Sequence, residues 1–150
     1  MKDAEVIAFA TPIYFYEMCG QMKTLLDRSN PLFPSDYAFR DIYLLATAAD
    51  SAESSMDGAV KGLGGWIACF EKAALRGVVR GTGADGAGTI LQVPAALKSA
   101  FERGNKAYAH ERETNHAARP PAAPEAMPVA YGGPPPDGTG GTSPPFRSGR

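Results

Sequence analysis

VIAFATPIYFYEMCGQMKTLLDR, residues 6–28, is the stretch on which the fold turns. Val6, Ile7, Ala8, Phe9 and Ala10 form an uninterrupted apolar run. A run so short, rich in β-branched and aromatic types, predicts a strand buried on both faces. Thr11-Pro12 is expected to end it, because proline has no N–H for a ladder and restricts the residue before it. Met18, Met22, Leu25 and Leu26 then recur at i, i+4, i+7 and i+8, which is one face of a helix. A buried strand feeding a loop and then a helix is the unit of an α/β sheet, where ligands bind outside the carboxyl ends of the strands. The loop Thr11 to Glu17 is thus expected at that edge, carrying Tyr14, Phe15 and Tyr16.

The same unit recurs twice downstream. Ile42 to Ala46 reads as a second buried strand, followed by a small polar loop from Thr47 to Glu53. Ser54 or Ser55 is placed to cap the next helix, with Asp57 adding favourable charge to its first turn. Met56, Val60, Leu63, Ile67, Phe70 and Ala74 keep helical spacing for about five turns. Gly62, Gly64 and Gly65 weaken that helix locally. Leu75, Val78 and Val79 predict a third strand ending at Arg80-Gly81, and Thr82 to Gly88 (TGADGAG) reads as a flexible lid or turn. Pro94 suits the first turn of a last helix, with Leu97, Phe101, Gly104 and Tyr108 on its apolar side. Strands alternating with helices argue for a parallel sheet covered on both faces.

Composition bounds the function. The chain has 150 residues and a formal net charge of -1, with its basic residues scattered. That excludes the concentrated basic stripe nucleic acid needs. No apolar run reaches membrane-spanning length, and MKDAEV leads straight into a strand without a signal-peptide layout. Cys19 and Cys69 stand far apart, with neither CxxC spacing nor paired histidines, so no metal site and no disulfide framework is expected. A reducing cytoplasm follows as the natural compartment. Of thirteen prolines, nine fall between Arg112 and Arg150. Residues 111–150 therefore read as a disordered Pro/Gly-rich tail, and residues 1–110 as the folded domain.

Two loops are candidate ligand contacts. The aromatics of Thr11, Pro12, Ile13, Tyr14, Phe15 and Tyr16 either cap the core or make a platform for a flat ligand such as a flavin ring. Thr47, Ala48, Ala49 and Asp50 have small side chains that would let backbone approach the same ligand. Their plainer reading is an ordinary strand–helix connection. Gly81 to Gly86 matches GxGxxG only loosely, with no helix directly after it. Cys19 lies near a helix start, where a thiolate is favoured, although a structural thiol is the commoner case. Cys69 is expected in the core. Lys23 and Asp27 have the i, i+4 spacing of a solvated helix face.

The segment ATPIYFYEMCGQMKTLLDRSNPLF resembles the signature of the NAD(P)H-dependent FMN reductases, a family of flavodoxin-like oxidoreductases. The matching positions are Thr11, Pro12, Ile13, Tyr14, Cys19-Gly20, Lys23, Asp27 and Arg28. DIYLLATAAD and GWIACFEKAALRGVVRGTG extend the likeness to about residues 3 to 109. The resemblance implies a flavodoxin-like doubly wound parallel sheet of which this chain carries three of five strands, an N-terminally truncated form. It implies FMN at the carboxyl ends, with Thr11 to Tyr16 along the isoalloxazine and Thr47 to Asp50 as the second flavin loop. It implies hydride transfer from NAD(P)H through FMN to a small-molecule electron acceptor, and a homodimer. The family's Ser/Gly/Asn/Thr-rich phosphate loop has no counterpart here. The alternative reading is therefore an inactive, flavin-free fragment or interaction module.

Overall fold

The computed structural model describes residues 1–115, with side chains through residue 109. In chain order the elements are β1 (Val6–Tyr14), β2 (Glu17–Met18), α1 (Gly20–Arg28), β3 (Asp41–Thr47), α2 (Asp57–Ile67), β4 (Ala74–Gly81) and α3 (Pro94–Asn115). The described residues form one sheet in the order β2-β1-β3-β4. β1, β3 and β4 are parallel, and β2 is a short antiparallel return on β1. This is an α/β fold with three parallel strands and helices on both faces, of the flavodoxin-like doubly wound kind.

The core lies on one face of the sheet. Ile7 and Phe9 of β1 and Ile42, Leu44 and Ala46 of β3 join Met22 and Leu26 of α1 and Ala59, Leu63 and Ile67 of α2. Ile42 and Leu63 are fully buried. The connection from α1 to β3 adds Tyr37 and Phe39, stacked at 4.4 Å between centroids. Trp66 stacks on Phe39 and donates its indole N–H to Ser29 Oγ at 2.7 Å. Among the described residues the other face carries α3 and, over Gly81, Ile90 of the 3-10 turn Thr89–Gln92.

Several expectations change. β1 is not buried on both faces: Ile7, Phe9 and Thr11 point into the core, whereas Ala8, Ala10 and Pro12 are exposed. Nor does it stop at Thr11-Pro12. It continues to Tyr14, with Pro12 opposite Thr47. Among the described residues it has a neighbour on one side only from Val6 to Pro12, and such a strand can turn proline's missing donor to its free edge.

Met18 belongs to β2 rather than to α1, and Leu25 is exposed. α2 ends at Ile67, three turns long rather than five, in the stretch that Gly62, Gly64 and Gly65 weaken. Phe70 still reaches the core, but from a turn. Ser54 and Ser55 lie in a 3-10 turn, Glu53–Met56, and neither caps α2. Cys69 is exposed, its thiol bonded to the Gly65 carbonyl.

β4 is placed as expected, with one irregularity. Leu75 pairs with Ile42 and Gly77 with Tyr43, leaving Arg76 as a bulge residue. Its Nε donates to the buried Asp41 carboxylate at 2.7 Å. α3 begins at Pro94 as predicted, but it turns a different side to the sheet. Leu97, Phe101 and Tyr108 are 40%, 70% and 63% exposed, while Ala96 is buried and Ala100, Arg103 and Ala107 are half-buried. Small residues let neighbours sit close: a Cβ at Gly77 would meet Arg103 of α3, and one at Gly81 would meet Ile90 of the 3-10 turn Thr89–Gln92. α3 runs past residue 110 to Asn115, and the expected tail beyond it lies outside the described residues.

Candidate functional site

Pro12, Thr47 and Gly81 stand in register across β1, β3 and β4. Neighbouring strands are about 4.8 Å apart, so the loops that follow these residues emerge side by side. Both predicted ligand loops, and the glycine-rich segment after β4, therefore meet at one edge of the sheet.

The first loop is a tight hairpin. Tyr14 pairs with Glu17 and Ile13 with Met18, leaving Phe15 and Tyr16 as the two turn residues. Their φ values are +51° and +66°. A two-residue turn with both central residues left-handed matches the twist of the strands, yet it ordinarily demands Asn or Gly. Here two aromatic residues carry that strain. Phe15 is 99% exposed, and Tyr14 and Tyr16 are mostly exposed. The turn is held from beneath by α2: a Cβ at Gly58 would collide with the Tyr16 carbonyl oxygen and come within 2.7 Å of Glu17 Oε1. Strain retained at an exposed tip, and braced from below, is a mark of a functional site.

The predicted site residues fare differently. Tyr14, Phe15, Tyr16 and Pro12 are exposed at this edge, and Ile13 packs against the core. Thr11 is buried. Its hydroxyl donates to the Pro12 carbonyl at 2.8 Å and accepts the Cys19 N–H at 3.0 Å, so it ties β1 to the start of α1. The Thr11 hydroxyl, followed by backbone amides in the first turn of α1, holds the Cys19 thiol below its ordinary value. Cys19 is buried, whereas the exposed Cys69 lies at the other end of α2.

The second loop is tied down. Ala48 N–H donates to the Gly81 carbonyl at 2.9 Å, and its own carbonyl accepts Ala84 N–H at 2.8 Å. Gly83 N–H reaches the Asp50 carbonyl at 3.0 Å, and Asp50 Oδ1 accepts Ala52 N–H at 2.9 Å. TGADGAG is thus no free lid in its first half, since it is laced to Thr47–Asp50. The lacing uses positive φ at Gly83. Thr47 is half-buried, Ala48 is buried, and Ala49 and Asp50 are exposed. Arg80, just before the loop, pairs with Asp57 at 2.8 Å and so links β4 to the start of α2. Sequence reasoning missed this lacing, because backbone-to-backbone bonds between two loops leave no residue signature.

Among the described residues no group of three His, Cys, Asp or Glu is placed to hold a metal ion, and no helix is long and apolar enough to cross a membrane. The apolar cleft of about 180 Å³ lies elsewhere, between α3 and the second face of the sheet.

The arrangement defines a class: an α/β domain with converging loops at the carboxyl ends of three parallel strands. The chain is similar to the structure of Trp repressor binding protein from Bacillus subtilis, at 24% identity and a TM-score of 0.56. The match covers 65% of this chain and 61% of that one, so this chain spans less than two thirds of the neighbour's length. At that identity the likeness speaks for the fold. No family model and no curated protein matches the chain.

Proposed function

We propose that this chain is an FMN-dependent NAD(P)H oxidoreductase domain whose flavin ring rests on the Tyr14–Phe15–Tyr16 turn. The observation that carries the reading is the exposed aromatic pair held at positive φ at the ligand edge of the sheet. Bound FMN would supply the hydride chemistry between NAD(P)H and a small-molecule acceptor. The chain's own residues bind and orient. The aromatic turn offers apolar contact to a flat ring. Ala49 and Asp50, in a loop fixed by its lacing to Gly81–Ala84, offer close backbone approach.

The fit is to the ring end of the cofactor. No described loop matches the Ser/Gly/Asn/Thr-rich cradle that would hold a phosphate at a helix N-terminus. This sets a specific test. Titration by flavin fluorescence should show FMN and riboflavin binding within about threefold of each other, because a phosphate without an anchor adds little. NAD(P)H oxidation with a quinone acceptor should follow flavin loading. Absence of binding for both flavins would sink the proposal.

A second reading is an interaction module without flavin. It is favoured by the same missing cradle and by the 99% exposure of Phe15, an apolar tip of the kind partners bury. Tight flavin binding would remove it.

A further inference from the structure

Arg80 is the last core-facing residue of β4. Strand alternation puts it on the side of Val78, which packs against the core, whereas Gly81 faces Ile90 on the other side. The Arg80 side chain is 22% exposed and makes two contacts. Its Nη1 donates to the Glu53 carbonyl, and its Nη2 lies 2.8 Å from Asp57 Oδ1. Glu53 opens the 3-10 turn Glu53–Met56, and α2 begins at Asp57. One guanidinium thus spans the whole turn. A rigid planar fork suits two fixed acceptors, where the single ammonium of a lysine is a point charge.

The turn has little else of a polar kind to hold it. Neither the turn nor α2 has a side-chain cap. Ser55 is buried in the middle of the turn, and its hydroxyl has no partner among the described residues. A helix start without a cap leaves backbone amides unsatisfied and is correspondingly less stable. Met56 anchors the turn in the core, where it is fully buried. Arg80 sets the outer edge.

What the start of α2 carries is the floor of the aromatic hairpin. Gly58 follows Asp57 directly. The Tyr16 carbonyl and the Glu17 carboxylate lie so close to its bare Cα that an added Cβ would overlap both. Phe15 and Tyr16 hold positive φ, a conformation that persists only where the surroundings impose it. The surroundings here are Gly58 and the helical turn that positions it.

We propose that Arg80 is a positioning residue for the ligand edge. By bridging Glu53 and Asp57 it fixes the start of α2, and through Gly58 it holds the Tyr14–Phe15–Tyr16 turn in its strained form. Arg80 also borders the second loop, since the carbonyl of the adjacent Gly81 takes the Ala48 N–H. The consequence for flavin rests on the function proposed above. The link from Arg80 to the aromatic turn does not, and the two are read separately.

The first arm is hydrogen exchange on the full chain without flavin. Arg80→Met keeps the apolar stem and removes the fork. Exchange should rise about tenfold at residues 53–58 and also at residues 14–18, while residues 41–47 of β3 keep the wild-type rate. Asp57→Asn keeps an acceptor and removes the charge, at an exposed position. It should loosen the same two segments by a smaller factor. Ser29→Ala, at the far end of α1, should leave residues 14–18 unchanged.

The second arm is binding of riboflavin, which carries no charge. Arg80→Met should weaken it about two- to tenfold, the size of the aromatic contact that is misplaced. Asp57 is 64% exposed, so salt reaches the pair. In 1 M NaCl wild type should lose about two- to fivefold in affinity, and Arg80→Met should lose none.

Exchange that rises at 53–58 and not at 14–18 would overturn the inference, as would no rise in either segment or an equal rise through β3. Riboflavin affinity unchanged in Arg80→Met would refute it as well, and so would the same salt dependence in both proteins. If wild type binds no flavin while the two segments loosen together, the positioning role stands and the flavin reading falls.

Discussion

Replacing Phe15 by Asn is expected to make this protein more stable and a poorer flavin binder. The backbone at Phe15 has φ +51°, in the left-handed region. An L-residue with an ordinary side chain carries a penalty of about 1–2 kcal/mol there. Asn adopts the same conformation readily, which is why Asn-Gly dominates such hairpin turns. Truncation normally removes buried surface, but Phe15 is 99% exposed and loses none. The balance is a gain of about 1 kcal/mol. For a domain of roughly a hundred ordered residues that raises Tm by about 4–8 °C. In urea the midpoint should rise with an unchanged m value, the sign that native stability and not compactness has moved. If the phenyl ring contacts the isoalloxazine, its loss should cost about 0.5–1.5 kcal/mol of binding, or about 2- to 10-fold in Kd. Equal or lower stability would show that the turn is not strained. Higher stability with unchanged FMN affinity would show that the strain serves something other than flavin.

Leu44→Ala empties a fully buried position between α2 and the sheet and should lower unfolding free energy by about 2–5 kcal/mol in urea titration. Ser29→Ala removes the acceptor of the Trp66 indole N–H, with an expected loss of about 1 kcal/mol and a shifted tryptophan emission. Gly58→Ala brings a methyl against the Tyr16 carbonyl and Glu17. The clash, about 1–3 kcal/mol, should outweigh the helical gain of up to about 1 kcal/mol and displace the aromatic turn, read as lost flavin affinity. Cys19 gives a pH signature. Its thiol is held below 9.0 in the fold, so folding favours the thiolate. That stabilisation is complete above 9.0 and fades as pH falls through the folded value. Wild type should therefore gain stability over Cys19→Ser as pH rises toward 9.0, and parallel pH profiles would refute the assignment.

The parts of the fold that were legible in sequence are those fixed by local pattern. Three strands, Pro94 at a helix start and the Lys23–Asp27 pair, at 2.5 Å, each announce themselves over a few residues. What failed depended on partners that sequence does not name. Pro12 reads as a stop, yet β1 passes through it because that stretch of the strand has one free edge among the described residues. Leu97, Phe101 and Tyr108 read as the packing side of α3 because they are large. The sheet instead accepts the alanine side, since Gly77 lets a close-fitting helix approach. Met56 to Ala74 keeps helical spacing, but Phe70 reaches the core equally well from a turn. At the site, the aromatic triplet was visible as composition, whereas its two left-handed residues were not. Aromatic residues seldom take that conformation, and nothing local in YFYE demands it.

Arg76 in β4 has a consequence for how this strand can change length. Leu75 and Val78 are three apart, a spacing that in a regular strand puts them on opposite faces. The bulge brings both to the core side, opposite Ile42 and Leu44. Excising Arg76 would leave Leu75, Gly77 and Val78 in plain alternation, with every later residue still on its present face. Removing Gly77 instead would restore the same alternation but set the Arg76 side chain where Arg103 crowds the strand, and removing Val78 would take a core residue. Arg76 is thus the position in β4 whose codon can be lost with neither a change of register nor a clash against α3. The penalty is confined to the end of β3, where buried Asp41 would lose its arginine.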